Sequence, residues 1–175
     1  MTDQSTRNLN EAFKGESQAN RRYLAFAQQA EEEGLADVAR LFRAAAESET
    51  IHALNHLKAM DGVKTTRENV ADALKGEVDE SDSMYPMFMD QAKRDANNKA
   101  LTSFFWANEA EKIHADFYER ALAAVKQGND LKLGKLYICV VCGHTVEGTP
   151  LDKCPTCGEG ADKFKLVELK PRLEP

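Results

Sequence analysis

ESETIHALNH (residues 47–56) and EAEKIHADFY (residues 109–118) each set a glutamate and a histidine three residues apart, Glu49 with His52 and Glu111 with His114. On an α-helix that spacing puts both side chains on one face. In each stretch it is the face on which apolar residues also recur. A carboxylate and an imidazole on the apolar side of a helix need a chemical reason, and the same arrangement occurs twice.

The surrounding chain reads as helix. From about residue 5 to 127 it is rich in Ala, Glu, Lys, Arg and Leu, with few breakers. The periodicity predicts four long helices, over residues 6–33, 35–61, 66–97 and 99–127, with Gly34, Gly62 and Gly128 as stops. Pro86 falls inside the third and should bend it, because proline supplies no amide hydrogen. The very short turn at Gly34 makes the first two helices antiparallel neighbours. The predicted buried stripe of the second helix is Val38, Phe42, Ala45, Glu49, His52, His56 and Met60, and that of the fourth includes Phe104, Asn108, Glu111, His114 and Tyr118. The first helix contributes Glu16, Tyr23 and Phe26 to its stripe, and the third Glu77, Glu80, Met84 and Met87. Every helix thus carries a glutamate among its apolar positions.

These positions repeat. Glu16 and Glu77 are 61 residues apart, while Glu49 and Glu111, His52 and His114, and Tyr23 and Tyr85 are each 62 apart. The offsets suggest two helical hairpins related by a pseudo-twofold axis. Glu80 has no counterpart.

An ionised carboxylate in an apolar interior costs several kcal/mol unless a positive group compensates it. Glu16, Glu49, Glu77, Glu80 and Glu111 cannot all be offset by His52 and His114, and no Lys or Arg shares their stripes. Bound cations are the natural remedy. One Glu from each of two helices plus Glu-x-x-His from each of the other two is the ligand pattern of di-iron and di-manganese bundles. A lone Glu-x-x-His would be weak evidence, since a single stripe glutamate usually reaches solvent; two copies with matched partners are strong. Iron in such a site can pass two electrons with two protons and keep the buried charge constant, although charge alone does not separate iron from manganese.

After Gly128 the texture changes to short β-branched and aromatic runs broken by Gly and Pro. All four cysteines lie here, as Cys139-Val-Val-Cys142-Gly and Cys154-Pro-Thr-Cys157-Gly, separated by 11 residues. Two such knuckles bring four thiolates into a tetrahedron around one metal, and a segment this small needs that staple. The spacing fits zinc and iron equally. The expected division is a helical domain over 1–130 and a small β domain over 131–175.

Composition sets limits on function. A formal net charge of −6, without a basic run, argues against nucleic acid as a partner. The start of the chain lacks the apolar core of a signal peptide, and no apolar run reaches membrane-spanning length. The expected setting is cytoplasmic, and the clustered cysteines read as metal ligands there.

In order and spacing, GESQANRRY (residues 15–23), ETIH, GEVDE followed by MYP (residues 76–86), EKIH and the paired CVVCG and CPTCG resemble the rubrerythrins over essentially the whole chain. The resemblance implies an all-α, ferritin-like four-helix bundle with a di-iron site, joined to a small rubredoxin-like domain. It implies three irons per chain, one of them in an Fe(Cys)4 cage that could also take zinc. The implied di-iron ligands are Glu16, Glu49, His52, Glu77, Glu80, Glu111 and His114, with Glu49 and Glu111 bridging, and Cys139, Cys142, Cys154 and Cys157 hold the third metal. In the family one iron exchanges Glu80 for His52 with oxidation state, and Tyr23 and Tyr85 resemble paired tyrosines beside the site.

The implied activity is reduction of hydrogen peroxide to water, with electrons relayed through the cysteine site from an external reductase. Glu80, His52, Tyr23 and Tyr85 would be the residues acting on substrate and protons. A ferroxidase or oxidase using O2 is the rival enzyme; a non-catalytic iron-binding or electron-transfer protein is the other alternative. His114 and Gln127 are 13 residues apart, roughly 20 Å along a helix. A cysteine domain beginning past that end would sit far from its own chain's di-iron site. A head-to-tail homodimer, which the resemblance also implies, would shorten the path.

Overall fold

The computed structural model describes residues 3–168, so the outermost residues of the two expected domains lie outside it. Contacts divide the chain between Lys64 and Thr65.

The first unit is a helical hairpin, α1 (Gln4–Glu32) and α2 (Ala36–Ala59). Asp3 caps α1 by accepting the Thr6 amide at 2.7 Å. The turn closes when the Leu35 amide donates to the Ala30 carbonyl at 2.8 Å. The buried positions are Asn20, Ala27 and Ala30 on α1 and Ala39, Ala46 and Ala53 on α2. Alanine at these sites lets the two backbones approach closely, and Asn20 fastens them by donating to the Ala46 carbonyl at 2.6 Å and to Thr50 Oγ1 at 2.8 Å. The stripe expected to be buried on α2 therefore flanks the seam: Val38 and His52 are exposed, and the others are half-buried. Periodicity marks a broad face, but the smallest side chains decide which line of it closes on the neighbour.

The second unit begins with α3 (Thr66–Asp79), held by a capping box in which Thr65 and Glu68 satisfy each other's amides. Residues Glu80–Met84 then form one π-helical segment, and α4 (Tyr85–Arg94) and α5 (Asn98–Lys126) follow. The single helix expected over 66–97 thus runs unbroken over 66–94, with a π segment in its middle. Pro86 lies at the start of α4, directly after the π segment. The widened turn lies just before it, with the Tyr85 amide reaching five residues back to the Glu80 carbonyl.

Beyond α5 the chain reverses and forms a three-stranded antiparallel sheet. Strand β1 (Leu136–Cys139) is central, between β2 (Thr145–Glu147) and β3 (Phe164–Leu166). The sequence suggested a sheet lying past the end of α5, and the sheet does not stay there. Strand β2 lies against the helix, where Arg120 pairs with Glu147 at 2.9 Å and Trp106 packs on the cysteine cluster. The helix does run on to Lys126, but the chain turns back along it, so the cysteine domain does not stay at the far end.

Candidate metal centres

The first hairpin gathers Glu16, Glu49 and His52, whose ligand atoms lie within 4.8 Å of one another. His52 Nδ1 is 2.9 Å from Glu49 Oε2 and 3.9 Å from Glu16 Oε1. The neighbouring Glu49 raises the Glu16 carboxyl, while the His52 contact holds Glu49 below its ordinary value. The His52 side chain is 50% exposed, and among the described residues its Nε2 meets Ser48 Oγ alone, at 3.5 Å.

The second unit repeats the arrangement with Glu77, Glu111 and His114, again within 4.8 Å. His114 Nδ1 is 2.7 Å from Glu111 Oε2 and 3.6 Å from Glu77 Oε2. Burial, and then the neighbouring Glu111, push the Glu77 carboxyl up to about 7. Glu80 stands outside this close group, at the first position of the π segment, and burial followed by the Glu111 charge raises it too. The Tyr85 phenol is raised by burial and then by the charges of Glu111, Glu80 and Glu77, and keeps its proton. Carboxyls raised by burial and by one another fit a site that a cation would complete.

Each unit also carries an aromatic triad, and the triads repeat. Tyr23, Phe26 and Phe42 have ring centroids 5.5 to 6.3 Å apart; Tyr85, Phe88 and Phe104 have theirs at 5.5 to 6.4 Å. Phe26 with Phe88 and Phe42 with Phe104 keep the offset of 62, a match readable from the sequence and missed there.

The four cysteines converge without forming a disulfide. Cys139 and Cys157 sulfurs are 3.7 Å apart, and those of Cys142 and Cys154 are 3.5 Å apart. A tetrahedron with metal–sulfur bonds of about 2.3 Å has edges of about 3.8 Å. Each knuckle turns on a glycine in the left-handed region, Gly143 at φ +82° and Gly158 at φ +79°, whose amides return to the Cys139 and Cys154 carbonyls. Burial pushes the Cys142 and Cys157 thiols up; at Cys154 burial is outweighed by the Cys157 and Thr156 amides, which pull the thiol down. The cage fits a thiophilic cation.

Sequence reasoning missed Thr145. Its hydroxyl lies 3.1 Å from His114 Nε2 and donates to the Gly143 carbonyl at 3.3 Å. No local pattern pairs residues 31 apart on a strand and a helix.

Comparison with known proteins covers both regions. Residues 7–122 match a family described as rubrerythrin, and residues 137–165 match one described as the rubrerythrin, rubredoxin-like domain. Rubrerythrin-2 of Clostridium acetobutylicum is 37% identical over 171 residues, covering 90% of this chain and 93% of that protein. Nigerythrin of Nitratidesulfovibrio vulgaris is 32% identical, covering 90% of this chain and 83% of that one. A solved structure of fully reduced, all-ferrous nigerythrin superimposes with a TM-score of 0.53 at 30% identity, over 95% of this chain and 88% of that one.

Proposed function

Because the chain belongs to the rubrerythrin family, we propose that it is a peroxide reductase, converting hydrogen peroxide, two electrons and two protons into two waters. Membership carries a ferritin-like helical fold, a di-iron site, a rubredoxin-like site of four cysteines and oxidoreductase chemistry related to peroxide. The observation that favours a reductase is the cysteine domain's seat on α5, beside the Glu77, Glu111 and His114 group. A ferroxidase draws electrons from its iron substrate and needs no such neighbour.

Glu16, Glu49 and His52 in the first hairpin, and Glu77, Glu80, Glu111 and His114 in the second unit, are the residues that would hold the two irons. When bound, the two irons supply the electrons that break the O–O bond. Glu80 and Tyr85 hold protons close to the carboxylate group, and Tyr23 occupies the matching position in the first hairpin. Cys139, Cys142, Cys154 and Cys157 hold the iron that receives electrons singly from an external reductase.

Stopped-flow mixing tests the reading. Anaerobically reduced protein should reoxidise much faster with hydrogen peroxide than with dissolved O2. Faster reaction with O2 would make it an oxidase. A colourless protein with zinc in the cysteine cage would remove the relay.

A further inference from the structure

We propose that Thr145 is a positioning residue for His114: from strand β2, its hydroxyl accepts the Nε2 proton of the imidazole and thereby aims the Nδ1 lone pair at the Glu77–Glu111 pair. A threonine hydroxyl has one hydrogen. Here that hydrogen goes to the Gly143 carbonyl at 3.3 Å, so toward His114 the oxygen can act only as an acceptor, at 3.1 Å. The matching donor is Nε2–H, and a neutral imidazole with its proton on Nε2 has a bare Nδ1. That nitrogen is the one facing the carboxylates, 2.7 Å from Glu111 and 3.6 Å from Glu77, and a bare nitrogen and a carboxylate attract each other only through a cation set between them.

A ligating histidine needs this arrangement: one nitrogen free for the cation, and the other anchored so that the ring neither flips nor changes tautomer. Thr145 suits the anchoring role because it is itself buried, at 9% exposure. It is also fixed at both ends, since its hydroxyl bonds a carbonyl of the first cysteine knuckle and its strand pairs with β1. Two hydrogen bonds and a short piece of backbone therefore join Cys142 to His114 within one chain. His52 lacks any equivalent, because Ser48 lies on the same helix at 3.5 Å. The repeat supplies two histidines, and the cysteine domain immobilises one of them.

The inference rests on the di-metal reading of Glu77, Glu111 and His114; peroxide as substrate is not needed for it. The test compares the full-length chain with Thr145→Val, which keeps shape and loses the hydroxyl, and Thr145→Ser, which restores it. Anaerobic titration of the metal-stripped helical site with ferrous ion should show one ion bound about 10-fold more weakly in Thr145→Val, and wild-type binding in Thr145→Ser. In zinc-loaded samples, the ring ¹⁵N shifts of His114 should report Nε2–H in the wild type and the serine variant, and lose that pattern in the valine variant. Unchanged binding and an unchanged tautomer in Thr145→Val would overturn the proposal. So would a serine variant as impaired as the valine one, because that would make the volume of the side chain matter and not its hydroxyl. If Thr145→Val loses the visible spectrum of the cysteine site, the serine variant decides: retained Nε2–H supports the role, and its loss ends it. A protein that binds two ferrous ions yet ignores peroxide would defeat the functional reading and leave this one standing.

Discussion

The two Glu-x-x-His groups carry the same donors in different surroundings. In both, the histidine Nδ1 meets its own glutamate closely, at 2.9 Å for His52 and 2.7 Å for His114, and the unit also carries a Tyr-Phe-Phe triad. The first group is built on a plain hairpin, with its histidine half in solvent. In the second, the histidine Nε2 is held at 3.1 Å by Thr145 of strand β2, an extra carboxylate stands at a π turn, and a second metal-binding fold packs against the helix. Repetition fixed which atoms are offered to a metal. The surroundings decide which of them can let go, and His52 is the freer.

The contrast can be broken most severely at Glu49 and Glu111. Removing either one, by Glu49→Ala or Glu111→Ala, should abolish uptake of a metal pair by the helical region and leave the visible band of the cysteine site intact, as read by metal analysis and absorption. The histidines should respond unequally. His114→Ala should weaken ferrous binding about 10-fold more than His52→Ala, and equal losses would erase the distinction drawn between them.

Acidity sharpens the same comparison. In the metal-stripped protein Glu77 is raised from 4.5 to about 7, so between those values the folded chain holds a proton that the unfolded chain has released. Stability contributed by that proton is present at low pH and is lost as pH climbs through this window. Thermal melts should therefore fall in midpoint from about pH 5 to about pH 7.5, with a shallower slope in Glu77→Gln, and metal loading should cancel the trend. Smaller effects are expected away from the carboxylates. Ala46→Leu should overpack the first hairpin's seam and cost about 1–3 kcal/mol in urea denaturation, and Thr65→Ala should cost about 1 kcal/mol through loss of the α3 cap.

How much of this was legible depends on range. The Glu-x-x-His pairs and cysteine knuckles are local patterns, and the structure gathers Glu16 with Glu49 and His52, Glu77 with Glu111 and His114, and the four cysteines together. The starts of α1, α3 and α5 fell close to expectation because Asp3, Thr65 and Asn97 cap by local geometry. The alanine seam was hidden because periodicity weighs Val38 and Phe42 above Ala39 and Ala46, whereas backbone approach favours the smaller side chains. The seat of the cysteine domain was hidden because Thr145 with His114, and Glu147 with Arg120, are contacts between distant stretches whose residues carry no mark of each other. The π turn did leave a trace. Glu16 to Tyr23 is seven residues and Glu77 to Tyr85 is eight, so one residue too many had to be absorbed between them.

That surplus residue bears on origins. A hairpin copied end to end starts as identical halves, and a symmetric pair of metal positions has no way to give them separate tasks. Adding one codon to a single copy costs a helix only a wide turn, keeps the tyrosine in phase with its glutamate, and opens a place for a carboxylate the other half lacks. Chemical division of labour between twin sites needs no new fold, only an imperfection in one of the twins.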